Sequence, residues 1–413
     1  MRKLPVALAA AALATAALAQ QAPPSAEDLQ KQIQALKQQM QQMMQSYQSQ
    51  IQSLQQQVQA PQARQAASQL ATAAPPAPAP APAEGSVPPI PAAPPSPALE
   101  NPAISVLPDF TYSAGNDPYW KGQDALQVRE VEVAFSSAID PYATANVFLS
   151  LEDGHLHAEE AYAAFPGLPG GWTMKLGKFY ADFGKQNAMH THTWFQADQP
   201  LALRTMLGDE GLNDVGVSFS HLLPTPWMSD LTFEVTGARN DALFGGKRSD
   251  LSYLAAWRSF WDLTDNSSLE AQVSAAGGKN VTGHTTGLGN LAVTYRYKPL
   301  ASGTRASFLW RTELIRENYR GLDGLSRSTG AFSYVDWQFT RGWFAGLRAD
   351  YAEHPQAPWL HDKGGALTLT YFPSEFQKFR LQLERVNYAD VGLRNALVFE
   401  YGFAIGPHGA HPF

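Results

Sequence analysis

Residues 394–413 read RNALVFEYGFAIGPHGAHPF, and the reading of this stretch decides the fold. Leu397, Phe399, Tyr401 and Phe403 fall on alternate positions, with Ala396, Val398, Glu400 and Gly402 between them. A strand repeats its side-chain direction every two residues, so the four large apolar groups emerge from one face. In a soluble protein that face rests on a second sheet or a helix; in an outer membrane it rests on lipid. The aromatic end, Phe413, fits the second setting.

The same alternation recurs upstream. YATANVFLSLE sets Ala143, Ala145, Val147, Leu149 and Leu151 against Thr144, Asn146, Ser150 and Glu152, and only Phe148 breaks the polar face. GWTMKLGK, NLAVTYRYKP, SFLWRTEL and KFRLQLERV repeat the pattern, so Lys175, Arg296, Arg311, Glu313, Arg380 and Glu384 each oppose large apolar neighbours. About sixteen such segments run from near Ile104 to near Ile405, of the roughly 9–11 residues that a tilted membrane strand needs. A soluble sandwich would alternate too, but its connections follow no length rule. Here compact links (IDPY, FPGLPGG, LPTPWMSD, LTDNSS, PLASGT, TRG, FPSEF) alternate with longer ones, including RNDALFGGKRSD, GGKNVTGHTTG, RENYRGLDGLSRS and YAEHPQAPWLHDK. EDGHL and YADVG are short exceptions on the outer side. Membrane barrels have short periplasmic turns and longer outer loops. Tyr142, Trp172, Trp227, Trp261, Trp343 and Phe376 lie beside the short turns, at the level of an aromatic girdle. The expected fold is all-β: a transmembrane antiparallel β-barrel of about sixteen strands over residues 103–413.

What precedes the barrel is of different character. Residues 1–19 have a basic start, an apolar run and small residues at Ala17 and Ala19, which reads as a secretory signal rather than a membrane anchor. Residues 25–60 place Leu29, Ile33, Leu36, Met40, Met43 and Tyr47 at alternating four- and three-residue steps, the seam of a short α-helical coiled coil. Its alternative is a Gln-rich tail with accidental spacing. Residues 61–102 form a Pro/Ala-rich linker expected to extend as polyproline II. The chain of 413 residues has no Cys and a formal net charge of −7 without a basic block, which argues against a disulfide scaffold and against a nucleic-acid partner. No later run of about twenty apolar residues offers a membrane helix.

The order of signal, coiled coil, Pro/Ala spacer and barrel resembles the Gram-negative outer-membrane porins, most closely the phosphate-selective porin O/P-like group. VREVEVAFSSAIDPYATANVFLSLEDG and EEAYAAFPGLPGGWTMKLGKFYADFG are similar to that group's early strands, with KLGKF just before the loop that folds into the pore. The same stretch, with GPHGAHPF, also resembles outer-membrane proteins labelled zinc-regulated TonB-dependent receptors. Such receptors carry a plug before a barrel of about twenty-two strands. Here a coiled coil and spacer stand in its place.

The resemblance implies a porin in outer-membrane lipid, expected here as a homotrimer with its coiled coil in the periplasm, where the coil is a candidate contact for cell wall or another periplasmic component. Its solutes would be small and hydrophilic. The longest connection, from about Lys185 to Asn213, would narrow the channel through Lys185, His190, His192, Arg204, Asp209 and Glu210; alternatively it lies solvated over the mouth. The expected lining includes Lys175, Arg258, Arg296, Lys298, Arg311, Arg348 and Arg380 with Glu234, Glu270, Glu313, Asp336, Asp350 and Glu384. Facing rows of opposite charge favour small polar solutes without selecting one ion. A phosphate pore would need an excess of Arg and Lys at its narrowest point, which the sequence does not give. An anion-selective or metal-related transporter is the alternative within the class.

Three His pairs, His155/His157, His190/His192 and His408/His411, have spacing suited to a shared metal. With no Cys or well-spaced carboxylate beside them they read as surface histidines, and neither metal nor cofactor is assigned. Catalysis would need a Ser or Asp set against a His. Ser220 and His221 are adjacent, so they face opposite ways, and no GxSxG elbow occurs. The protein is expected not to be an enzyme. A structural envelope tether is the remaining class.

Overall fold

A computed structural model describes residues 102–120, 124–245, 247, 249–303 and 305–406. The signal segment, the coiled coil, the linker up to residue 101 and the tail with His408, His411 and Phe413 lie outside the described residues.

Period-two patterning becomes sixteen antiparallel strands. β1 (Ala103–Gly115) pairs with β2 (Ala125–Asp140), which turns at Pro141 and Tyr142 into β3 (Ala143–Glu152). Asp153 and Gly154 lead to β4 (His155–Leu168), and a short turn, Pro169–Gly171, to β5 (Trp172–Tyr180). A long segment, residues 181–212, carries helix α1 (Leu201–Leu207) and precedes β6 (Asn213–Leu222) and β7 (Met228–Thr236). Then come β8 (Ser252–Thr264), β9 (Ser267–Lys279), β10 (Thr285–Tyr297) and β11 (Ser307–Gly321). The ring is completed by β12 (Gly324–Thr340), β13 (Trp343–His354), β14 (Ala357–Ser374), β15 (Gln377–Tyr388) and β16 (Gly392–Phe403). Each strand pairs with its sequence neighbours and β1 also pairs with β16, so the sheet is a closed barrel.

The two faces separate as alternation requires. On β15 Leu381 and Leu383 are 44% and 54% exposed, whereas Arg380, Gln382 and Glu384 between them are at most 4% exposed. The apolar row is therefore outside and the charged row inside, the reverse of a soluble protein. On β16, Leu397 and Phe399 face out, while Val398 and Glu400 are fully buried. Tyr401 stacks on Phe379 at 4.7 Å, which ties the closing strand to its neighbour. At the short turns, Trp343 stacks on Tyr371 (4.5 Å) and Trp227 lies 6.3 Å from Trp261.

Two expected long loops are instead strand. RENYRGLDGLSRS continues the β11–β12 ladder to Gly321 and Gly324, leaving Leu322 and Asp323 as the turn. In YAEHPQAPWLHDK only Pro355 and Gln356 lie between β13 and β14. These stretches carry charged and polar residues on both faces, which reads as loop; beyond the lipid, a backbone ladder needs no continuous apolar row. Conversely PLASGT, expected to be tight, falls within the longer link 298–306.

Leu383→Arg should cost about 2–4 kcal/mol in urea unfolding from lipid vesicles, the penalty for a cation near the bilayer midplane. A change near zero would show that Leu383 does not meet lipid.

Candidate functional site

The interior is built from inward strand residues and from segment 181–212, whose backbone and side chains are held by them. Gly184, at φ +69°, starts the crossing: a side chain there would overlap Glu313 and Asn290. Glu313 Oε1 accepts from the backbone N–H groups of Lys185 (3.1 Å) and Gln186 (2.8 Å), and Asn290 donates to Oε2 (3.0 Å). Lys185 pairs with Glu270 at 3.2 Å. Burial draws the Lys185 ammonium below the ordinary lysine pKa, and Glu270 offsets only part of that.

Farther along, the segment meets the opposite wall. Lys378 donates to the carbonyl of His192 (3.0 Å) and Arg380 to that of Trp194 (2.7 Å), while both cations pair with Glu400. Arg129 joins Glu400, Asp109 and the carbonyl of Ala197. Gln382 accepts from the Ala197 N–H (2.9 Å) and donates to Asp198 (2.6 Å). Asp198 is clamped by Arg348 through 3.0 and 2.7 Å bonds, and Arg348 also bonds Asp350 (2.6 Å). Burial raises the Asp198 pKa, but Arg348 and Gln382 outweigh it and hold the carboxyl below its ordinary 3.8. Bidentate Arg–carboxylate geometry gives this anchor its direction as well as its strength.

Helix α1 adds an apolar contact. Leu203, Met206 and Leu207 pack with Phe183, Phe332 and Tyr334, all inside the ring. Gly330 of β12 admits the helix, because a Cβ there would overlap Met206 and Ala202. Arg204 lies over the Tyr119 ring at 3.8 Å and donates to Tyr388 (3.0 Å).

Of the anticipated segment residues, Lys185, His190, His192 and Arg204 thus touch the inner wall. Asp209 and Glu210 do not: they follow α1 and are exposed. Lys298 is not on a strand but exposed in the link after β10, one residue past the ladder's end. Lys175, at 5.2 Å from the Tyr162 ring, is exposed. Arg258 pairs with Asp230 (3.1 Å), whereas Arg296 and Arg311 form no ion pair among the described residues. Arg311 bonds Thr294 and Gln186 instead. Asp336, Glu234, Asp350 and Glu384 are buried inside.

The histidines part company. His155 and His157 are exposed at the start of β4, as a surface pair would be. His190 is buried and His192 half-buried, contrary to the surface reading, because carboxylates from distant strands converge on them. Burial opposes the charged form of His190, but bonds to Glu132, Glu159 and Glu160 hold its pKa well above the ordinary value. For His192 burial wins and the pKa falls. Phe148, the odd apolar residue on a polar face, packs its ring 4.7 Å from His190. That interruption was the one sequence signal of a packed interior; Glu132, Glu159, Glu160, Gln382, Lys378 and Arg129 carried none. His221, the neighbour of Ser220, stacks on Trp172 at 4.8 Å.

No family model matches the chain. An uncharacterized protein of Aquifex aeolicus (strain VF5) is 28% identical over 328 residues, 68% of this chain and 69% of that one. Among solved structures, an anion-selective porin from Comamonas acidovorans superposes with a TM-score of 0.53 at 10% identity, covering 74% of this chain and 99% of its own. The trimer form of in-vitro folded OmpT, an outer membrane protein of Vibrio cholerae, gives 0.50 at 9% identity over 74% and 99%. At such identities the likeness fixes the fold: a closed sixteen-strand barrel of the outer-membrane porin type.

Arg348→Met leaves Asp198, Asp350 and Glu384 without their cation at a site 1% exposed, and should destabilise the protein by about 3–5 kcal/mol in denaturant unfolding. A depressed carboxylate pKa stabilises above the ordinary value and ceases to as pH falls through the folded one. Amide exchange in residues 194–200 should therefore stay slow down to about pH 4 and accelerate below it. In Asp198→Asn it should be fast already at neutral pH.

Proposed function

We propose that the protein is an outer-membrane diffusion porin that passes small hydrophilic solutes or ions through a water-filled barrel narrowed by segment 181–212. The observation that carries this reading is the inverted barrel, apolar outside and charged inside, with one segment fastened across its interior. Such a wall lets lipid and water meet the same strands on opposite faces. Acids and bases line the interior together, so a transverse field orders polar solutes without strong ion choice. A homotrimer is the proposed assembly, supported by the trimer form of OmpT, with the N-terminal coiled coil in the periplasm reinforcing it.

One observation favours a second reading. Arg296 is an inward, half-buried cation with no ion pair among the described residues, and its charge would favour anions such as phosphate. The phosphate-selective resemblance points the same way.

Purified protein in a planar bilayer should give ohmic steps, with reversal potentials near zero in asymmetric KCl. Asp198→Ala with Arg348→Met, which releases the clamp, should raise the conductance at least about twofold. A membrane without steps would refute the pore. A reversal potential displaced toward anions and abolished by Arg296→Gln would select the second reading.

A further inference from the structure

Two strands bring four carboxylates to one inward patch. Glu130 and Glu132 share the inner face of β2. On β4, neighbours should point to opposite sides, yet Glu159 and Glu160 both reach inward, because the β3–β4 register skips a residue: Phe148 pairs with Glu160 and Leu149 with Ala158. A bulge at Glu159 re-aims its side chain. Segment 181–212 sets His190 and His192 against this patch.

The distances are those of ligands sharing an ion. His190 Nδ1 lies 3.0 Å from Glu132 Oε2 and 2.9 Å from Glu159 Oε2, and His192 Nδ1 lies 3.2 Å from the same Glu132 oxygen. The donor atoms of Glu132, Glu159 and His190 all fall within 4.8 Å of one another. Bonds of about 2.1 Å at angles between a right angle and the tetrahedral one place neighbouring donors about 3–3.4 Å apart. The single Nδ1 of His190 thus faces two carboxylate oxygens at once, Oε2 of Glu132 and Oε2 of Glu159. The other ring nitrogen, Nε2, meets Glu160 at 2.9 Å. This is the carboxylate–histidine arrangement that fixes a metal-binding tautomer.

Charge points the same way. Glu132 is 0% and Glu130 5% exposed, and the Oε1 atom of each is buried with no hydrogen-bond partner. Four carboxylates face two imidazoles. Lys378 is ion-paired with Glu400, and Arg129 with Asp109 and Glu400, so neither forms an ion pair with the patch. Buried carboxylates in such excess are held either by a proton or by a counter-cation. Phe148 and Tyr180, their rings 4.7 and 5.5 Å from that of His190, wall the patch.

We propose that His190, His192, Glu132 and Glu159 bind one divalent first-row transition-metal ion, with Glu160 positioning His190. Mixed imidazole and carboxylate donors suit ions such as Zn2+ or Mn2+. Bound there, the ion fastens segment 181–212 to β2 and β4.

The test uses the full-length protein in detergent, stripped with chelator, in a background with His155, His157, His408 and His411 replaced by Ala to remove the other His pairs. Calorimetric titration with Zn2+, and separately Mn2+, should show one site per chain. His190→Ala should abolish it, and Glu160→Gln, which keeps all four donors, should weaken it about 10–100-fold. Heat-modifiable migration on gels checks that each variant retains a closed barrel; if His190→Ala does not, His192→Ala and Glu160→Gln decide in the same way. No saturable binding of either ion, or equal binding by parent and variants, overturns the proposal. The readout involves no conductance, so it stands or falls apart from the pore.

Discussion

Because β1 is hydrogen-bonded to β16 as well as to β2, no strand in the ring has a free edge. In hydrocarbon every unpaired backbone group costs several kcal/mol, so closure is the condition under which the other features become possible. Once the ladder satisfies itself, each side chain is free to suit whichever medium its face meets. Leu381 and Leu383 can then stand outward beside Arg380 and Glu384 standing inward on the same strand.

Closure also creates the problem that the interior solves. Inward rows of Arg, Glu and Asp near low-dielectric walls need partners. Segment 181–212 provides many of them: backbone N–H groups for Glu313, carbonyls for Lys378 and Arg380, a carboxylate for Arg348, imidazoles for Glu132. The charged lining and the crossing segment therefore depend on each other. Removing either leaves the other with buried, unanswered charge.

The barrel was legible in the sequence because its signal is local. Period-two alternation in residues such as Phe379 to Val386 needs no knowledge of distant chain. Strand ends were not legible where both faces are polar, as around Arg316 to Ser328, since outside lipid the pattern that marks a strand vanishes. The interior contacts were hidden for a different reason. Asp198 and Arg348 are 150 positions apart, and His190 meets Glu132 across 58; such pairings follow from register around a ring, which alternation does not specify. The bulge that turns Glu159 inward is likewise a one-residue shift with no compositional mark. Lys298, Asp209 and Glu210 were placed by charge alone, and charge does not say where a strand stops.

The anchors of the segment lie on well-separated parts of the wall: Glu132 and Glu160 on β2 and β4, Glu313 on β11, Arg348 on β13, Gln382 on β15. A ring of sixteen strands resists stretching through its hydrogen bonds but has little to prevent it from flattening into an oval. Contacts that reach from one side to another act like spokes in a wheel. Lateral pressure from the surrounding bilayer is thereby shared among several strands without thickening the wall.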